Sequence, residues 1–90
     1  MPTVAFTGHL RRFFPTLVPG PIEGDTVGAV LTALERQHPG LRRYLCEDTG
    51  ALRKHVNVFV DGELTTDRNT LSQQVDTASE LFIVQALSGG

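Results

Sequence analysis

The segment from Asp25 to Gly40 constrains the fold most, because it has the clearest helical periodicity in the sequence. Asp25 and Thr26 are both residue types that cap the start of a helix. A Pro-Gly pair directly after His38 predicts that the helix ends there. The apolar residues between these signals recur at the spacing of one helix face: Val27, Val30, Leu31 and Leu34. This stripe must be buried against another layer of structure.

Segments with strand periodicity lie on both sides of this helix. The strongest is Val-Asn-Val-Phe-Val at 56–60, where three valines share one face and Asn57 and Phe59 share the other. Asp61 and Gly62 follow as a two-residue hairpin turn. The remaining strands are expected at 4–7, at an irregular edge segment containing Pro-Gly-Pro (19–21), and at 81–84.

Two strands before the helix and further strands after it predict an α+β domain. We expect one mixed sheet with one main helix packed across one face. If the first and last strands lie side by side in the middle of that sheet, the fold is a β-grasp (ubiquitin-like) fold. The expected domain covers residues 1–86, and residues 87–90 are expected to form a flexible C-terminal diglycine tail.

Composition argues against several classes of partner. The chain has 90 residues, is 40% hydrophobic and carries a formal net charge of −2, which indicates one small globular domain without the basic surface that nucleic acids require. It lacks an apolar run approaching the ~18 residues of a membrane span and a signal-peptide pattern at its start. We expect no nucleic acid and no membrane as partners, and the single Cys46 fits a reducing, cytoplasmic setting.

Side chains with catalytic potential are scattered. The three histidines lie far apart in the sequence, and no Cys/His spacing suits zinc. Cys46 is expected to be a small buried residue rather than a nucleophile, because no base can be assigned to it. We therefore expect no metal site, no intrinsically bound cofactor and no catalytic activity of the chain itself.

The sequence closes on Ser88, Gly89 and Gly90, directly after the last predicted strand. A carboxylate that must enter the nucleotide pocket of another enzyme needs a slim, extended lead-in, and glycine has no Cβ to obstruct it. This tip suits a carboxylate that is adenylated and then converted to a thiocarboxylate or an amide. The alternative is a terminal tail without a function.

Three stretches resemble the MoaD/ThiS sulfur-carrier family. Residues 25–41 resemble its helix and following turn, residues 55–63 its central hairpin, and residues 80–84 with 88–90 its last strand and diglycine tail. The region 52–63 is similar to the branch that includes a cysteine-biosynthesis carrier and related small modifiers. These stretches follow one another in the family's order and extend from residue 25 to residue 90.

The resemblance implies a β-grasp carrier rather than an enzyme. A ubiquitin-activating-type adenylyltransferase would use ATP to adenylate the Gly90 carboxylate, and a sulfurtransferase or persulfide would convert it to a thiocarboxylate. An acceptor synthase would then take the sulfur for cysteine, molybdopterin, thiamin, tRNA or a secondary metabolite. Two alternatives stay open: a protein modifier joined through Gly90 to lysines, and a non-catalytic interaction module.

The partner-binding surface is expected on the sheet face that points away from the helix. Large exposed apolar patches usually mark an interface, and charged residues at the rim tune partner choice. Charge is uneven along the chain, with net +2 in residues 1–60 and −4 in residues 61–90, although basic pairs are also common on ordinary solvated surface. The expected partner-binding residues are Phe59, Phe82, Val84, Leu87, Ser88, Arg11, Arg12, Arg53 and Lys54.

Overall fold

The predicted main helix is α1, Val27–Gln37, in a computed structural model that describes residues 1–85. Thr26 is its N-cap, and the Thr26 hydroxyl oxygen accepts a hydrogen bond of 3.0 Å from the backbone N–H of Ala29. His38 ends the helix and donates its backbone N–H to the Leu34 carbonyl. Both predicted ends are confirmed. The predicted boundary between a domain at 1–86 and a tail at 87–90 lies outside the described residues and stays a prediction.

Five strands form one mixed sheet in the order β2-β1-β5-β3-β4. The first and last strands, β1 and β5, lie side by side and parallel, while every other pair is antiparallel. This confirms the predicted β-grasp arrangement. The strands are β1 Thr3–Phe6, β2 Gly20–Pro21, β3 Val56–Val60, β4 Glu63–Leu64 and β5 Glu80–Gln85.

The core lies between this sheet and α1. Alternation along the central strands divides the two faces as predicted: Leu81 and Ile83 of β5 are buried, whereas Phe82 between them is exposed. The valines of β3 and the helical stripe are buried in the same core: Val56, Val58, Val60, Val27, Val30, Leu31 and Leu34. One face of the sheet is thus covered, and the other is left open.

The predicted irregular edge strand is shorter than expected. Only Gly20 and Pro21 pair with β1, because the neighbouring prolines have no N–H to donate to a sheet ladder. Between β1 and β2, a short 3₁₀ helix forms at Gly8–Arg12. After α1, a left-handed Gly40 leads into α2, Leu41–Leu45.

The turn between the two α-helices is fixed by a carboxylate. The Glu35 side chain accepts hydrogen bonds from the backbone N–H groups of Gly40 (2.9 Å) and Arg42 (2.8 Å). These two hydrogen bonds are the main reason why the pKa of Glu35 lies below its ordinary value.

Residues 65–75, which we call the helix-capping loop, satisfy the first donors of α1. The backbone N–H of Val27 donates to the Gln73 carbonyl (3.0 Å), and that of Gly28 donates to the Leu71 carbonyl (2.9 Å). Helix N-termini leave such donors without intrahelical partners. The loop therefore replaces water at this end of the helix, and the buried Leu71 side chain holds it against the core despite a left-handed φ of 58°.

Asp67 organises the helix-capping loop. Its carboxylate accepts from the Thr70 hydroxyl, the Thr70 backbone N–H (2.9 Å), the Ser72 hydroxyl (2.7 Å) and the Asn69 backbone N–H (3.0 Å). These hydrogen bonds, those from Thr70 first, hold the pKa of Asp67 well below its ordinary value.

We expect alanine to be far more harmful at Gly24 than at Gly50. Both glycines have a positive φ (147° and 95°), but a Cβ at Gly24 would lie 2.7 Å from the backbone nitrogen of Val30, whereas a Cβ at Gly50 meets nothing within 4 Å. In urea titrations, Gly24→Ala should lower the free energy of unfolding by about 2–4 kcal/mol and Gly50→Ala by about 1 kcal/mol. If both variants lose the same free energy of unfolding, the close packing of Gly24 against Val30 is contradicted.

We also expect acid to destabilise the wild type more steeply than Asp67→Asn. Because the folded-state pKa of Asp67 lies below its ordinary value of 3.8, its contribution is fully present above that value and is lost as the pH falls below it. Thermal unfolding between about pH 5 and about pH 2 should show a shallower decline for Asp67→Asn, which is less stable than wild type at neutral pH. If the melting temperatures of the wild type and of Asp67→Asn fall by the same amount as the pH is lowered, Asp67 does not have this role.

Candidate functional site

An apolar row crosses the open face of the sheet. Strand register places Ala5 of β1 beside Phe82 of β5, Phe82 beside Phe59 of β3, and Phe59 beside Leu64 of β4. Phe82 is 42% exposed and Leu64 is 55% exposed, while Phe59 is half-buried between them. Four strands thus contribute one continuous apolar stripe, which we call the apolar row.

A groove of about 460 Å³ lies along this row. Its acidic end is at the β3–β4 turn, where Glu80 lines the groove and Asp61 lies beside it. Glu80 and Asp61 are tied together, because the Glu80 N–H donates to an Asp61 carboxylate oxygen (2.9 Å) and the Asp61 N–H donates to the Glu80 carbonyl (2.8 Å). The groove is lined by Thr3, Ala5, Phe59, Gly62, Glu80, Leu81 and Phe82.

The other end of the open face is basic. Val84 pairs with Asn57, and the Asn57 side-chain oxygen accepts a 2.6 Å hydrogen bond from the Arg68 guanidinium. The same guanidinium donates to the carbonyls of Arg53 (2.8 Å) and Val56 (3.1 Å). Arg68 therefore holds a positive charge beside β3 and fastens the helix-capping loop to the sheet.

The four predicted rim residues are exposed but do not line the groove of the apolar row. Arg11 and Arg12 lie on the 3₁₀ helix, around a shallow depression with Gly8 and Pro15. Arg53 and Lys54 precede β3, and the Arg53 guanidinium donates to the Arg43 carbonyl at 3.0 and 3.3 Å. Their partner-binding role stays a prediction.

The remaining predicted site residues fall into two groups. Phe59, Phe82 and Val84 are on the open face of the sheet, as the alternation predicts. Those predicted in the tail lie outside the described residues: Leu87, Ser88, Gly89 and Gly90.

Sequence reasoning missed Ala5, Leu64 and Arg68. The signal for Leu64 was available, because a two-residue turn at Asp61 and Gly62 pairs Val60 with Glu63 and therefore Phe59 with Leu64. The turn has the positive φ angles that such a hairpin needs, 52° and 87°. Ala5 required knowledge of the β1–β5 register, and Arg68 required the path of the helix-capping loop.

Cys46 and clusters of metal-ligating side chains are the other groups that could carry chemistry. Cys46 is buried, and burial raises the pKa of its thiol against the opposing charges of Arg42 and Arg53. Residues 1–85 contain no group of three or more His, Cys, Asp or Glu side chains arranged to hold a metal ion. Within that range, no helix is both long and apolar enough to cross a membrane.

Comparison with known proteins decides the family. The model of the ThiS family matches residues 4–90. The chain belongs to the ThiS family. The predicted resemblance to sulfur carriers and small modifiers is thereby confirmed.

ThiS-family relatives with curated names are carriers and modifiers. Small archaeal modifier protein 1 of Haloferax volcanii is 36% identical over 70 residues, covering 77% of this chain and 76% of that protein. Sulfur carrier protein CysO of Mycobacterium tuberculosis is 30% identical over 69 residues, covering 74% of each. One name describes a protein modifier and the other a sulfur carrier.

Solved structures of relatives share the whole fold. One chain of the BexX/CysO complex of Amycolatopsis orientalis superposes with a TM-score of 0.84 at 26% identity, with both chains fully covered. Small archaeal modifier protein 1 of Haloferax volcanii superposes with a TM-score of 0.75 at 30% identity, covering 98% of this chain and 97% of that one. The ubiquitin-like β-grasp fold is therefore common to this chain and to both classes of relative.

Proposed function

We propose that this ThiS-family chain is a sulfur carrier, and that its Gly90 carboxylate is adenylated and converted to a thiocarboxylate. The observation that carries the proposal is the family match, which extends through Gly90. Gly90 follows Gln85, the last residue of a central strand, by five residues. Five extended residues reach up to about 17 Å, which is long enough to enter a deep pocket in a partner.

The proposed chemistry takes place on the partner enzyme. The Gly90 carboxylate attacks the α-phosphate of ATP, pyrophosphate leaves, and an acyl adenylate forms. A hydrosulfide then attacks the acyl carbon, AMP leaves, and a thiocarboxylate remains. With a persulfide as donor, a second thiol must cleave the resulting acyl disulfide to release the thiocarboxylate. In this proposal the partner binds the ATP, the chain binds no cofactor of its own, and the reaction takes place in the cytoplasm.

The apolar row supports the proposal as the surface that an activating enzyme holds. Burial of exposed apolar surface is favourable by about 25 cal/mol per Å². Within the apolar row, Phe82 and Leu64 are exposed enough to contribute to the binding free energy when a partner covers them. The CysO relative from Amycolatopsis forms a complex with BexX, so complex formation occurs within this fold. In the proposed complex with the activating enzyme, we assign Leu87 and Ser88 to contacts made by the tail. Charged contacts around the apolar row are assigned to Arg11, Arg12, Arg53 and Lys54.

A second candidate function is protein modification, favoured by the identity to small archaeal modifier protein 1. The activation step is the same, but a lysine amine of a target protein attacks the acyl adenylate in place of sulfur. The product is an amide, which survives reduction and boiling.

In the carrier function, an acceptor synthase takes the sulfur from the thiocarboxylate. The product of that synthase is cysteine, molybdopterin, thiamin, tRNA or a secondary metabolite, and the sequence does not select among these pathways.

Mass spectrometry tests the carrier proposal directly. The full chain, incubated with ATP, sulfide and the ubiquitin-activating-type adenylyltransferase from its own genome, should gain the mass difference between sulfur and oxygen at its C-terminal residue. A chain without Gly89 and Gly90 is the control, and it should keep its melting temperature because a terminal tail adds little stability. A mass that never changes with any such enzyme would sink the proposal, and conjugates that survive reduction would favour the modifier instead.

Replacement of Phe82 tests the docking role of the apolar row. Phe82→Ser should weaken binding to the activating enzyme by about tenfold or more, because central aromatic residues dominate interfaces. Val18→Ser is the matched control, since Val18 is 60% exposed but lies outside the row, and it should leave the affinity unchanged. Isothermal titration calorimetry would measure both, and equal affinities of the two variants would remove the row from the interface.

A further inference from the structure

A second cleft, which we call the tail cleft, lies where β5 ends. It has a volume of about 430 Å³ and shares no lining residue with the groove of the apolar row. The Gln85 backbone N–H donates to the Thr7 hydroxyl (3.3 Å), which fixes the end of β5 beside the end of β1. The cleft is lined by Phe14, Gly40, Arg43, Tyr44, Arg53 and Gln85.

Two arginines in the tail cleft have no carboxylate partner among residues 1–85. The single ion pair in that part of the chain joins Arg36 and Glu23 at 3.8 Å. The charge of Arg43 helps to lower the pKa of Glu35, but the Glu35 carboxylate is held mainly by backbone N–H groups. The Arg53 guanidinium is oriented by the Arg43 backbone carbonyl, which keeps the Arg53 charge at the cleft, and the Arg43 side chain also lines it.

Aromatic rings form the wall of the tail cleft. The rings of Phe14 and Tyr44 meet edge to face with centroids 5.7 Å apart, and Phe13 lies 5.3 Å from Tyr44. Phe13 is 56% exposed. Phe13 packs on Tyr44 without lining the cleft. Aromatic residues beside arginines, as Phe14 and Tyr44 are here, are enriched in protein interfaces.

The side chain of Gln85 contains a hydrogen-bond acceptor that no described donor satisfies. Its side-chain oxygen is buried and has no hydrogen-bond partner within the described part of the chain. Buried polar atoms are nearly always paired, and an unpaired one costs free energy. A ligand N–H group reaches this oxygen only when the Gln85 side chain rotates into the cleft that it lines, and the new hydrogen bond then removes that cost.

We infer that the tail cleft binds an acidic segment of the activating enzyme, with a carboxylate side chain between Arg43 and Arg53. On binding, the Gln85 side chain rotates into the cleft, and its oxygen accepts a hydrogen bond from a backbone N–H of that segment. The inference rests on the proposed function and assigns to that complex a second contact, at the base of the tail. Arginine binds carboxylates in a bidentate geometry that fixes orientation as well as affinity. An enzyme that grips the chain at this point sets the direction in which residues 86–90 leave the domain.

Charge reversal at one arginine tests the inference in the complex. The enzyme is the one that produces the thiocarboxylate in the mass assay. Arg43→Glu should weaken its affinity by at least about tenfold and reduce the salt dependence of association. Arg36→Glu makes the same change of net charge outside the cleft and should change the affinity by less than about twofold. Similar effects of both variants would overturn the inference.

Gln85→Leu separates a binding role from a structural one. The free chain should keep its melting temperature, because the lost oxygen has no partner within residues 1–85, whereas affinity for the same enzyme should fall by about fivefold. Each variant is repeated in a chain without Gly89 and Gly90. In this shortened chain, each variant should still lose affinity for the enzyme relative to the unsubstituted shortened chain. If the losses of affinity vanish there, the cleft binds the chain's own tail instead, which contradicts the inference.

A peptide titration keeps this test independent of the proposed function. Hexaglutamate peptide added to the full chain should shift the amide NMR signals of Tyr44, Arg53 and Gln85, and Arg43→Glu should abolish these shifts. Hexalysine peptide is the control and should leave them unchanged. Shifts spread equally over Arg36 and the other exposed arginines would overturn the inference, even if thiocarboxylate formation succeeds.

Discussion

The structure depends on the parallel pairing of β1 with β5. Val4 pairs with Leu81 and Phe6 with Ile83, and three of these four side chains are almost fully buried. The two strands come from opposite ends of the sequence, so this pairing encloses nearly all of the described chain between them. It closes the domain and puts the strand that leads to Gly90 in the middle of the sheet, supported on both sides.

A central position makes β5 a firm base for the residues that follow it. It pairs with β1 along one edge and with β3 along the other, and its alternate residues reach both the core and the open face. The apolar row and the tail cleft are both built around this strand. The surfaces proposed to bind a partner and the proposed point of chemistry are thus coupled through one rigid element.

Local signals explain which parts of the fold the sequence predicts. The ends of α1 depend on Thr26 and the Pro-Gly pair after His38, and the hairpin depends on Asp61 and Gly62, so each is decided by a few neighbouring residues. The open-face positions of Phe59 and Phe82 follow from alternation alone. These features are predictable because they do not depend on distant pairing.

Long-range contacts explain what the sequence does not predict. Arg68 reaches three acceptors that lie 11 to 15 residues earlier, and no periodicity indicates such a contact. The tail cleft joins Phe14, Tyr44 and Gln85 from three separate parts of the chain. For the same reason, the sequence did not indicate that the open face of the sheet carries Glu80 at one end and Arg68 at the other. The predicted rim of basic residues stays a prediction.

The distribution of charge along β5 has a consequence for the approach of a partner. Asp61 and Glu80 lie at the start of the strand, and Arg43 and Arg53 lie at its end, so the small domain carries an electric dipole roughly along this strand. Near a negatively charged protein surface, within about 8 Å at physiological salt, the field exerts a torque that turns the end of β5 forward. The domain would then be oriented before any side chain makes contact.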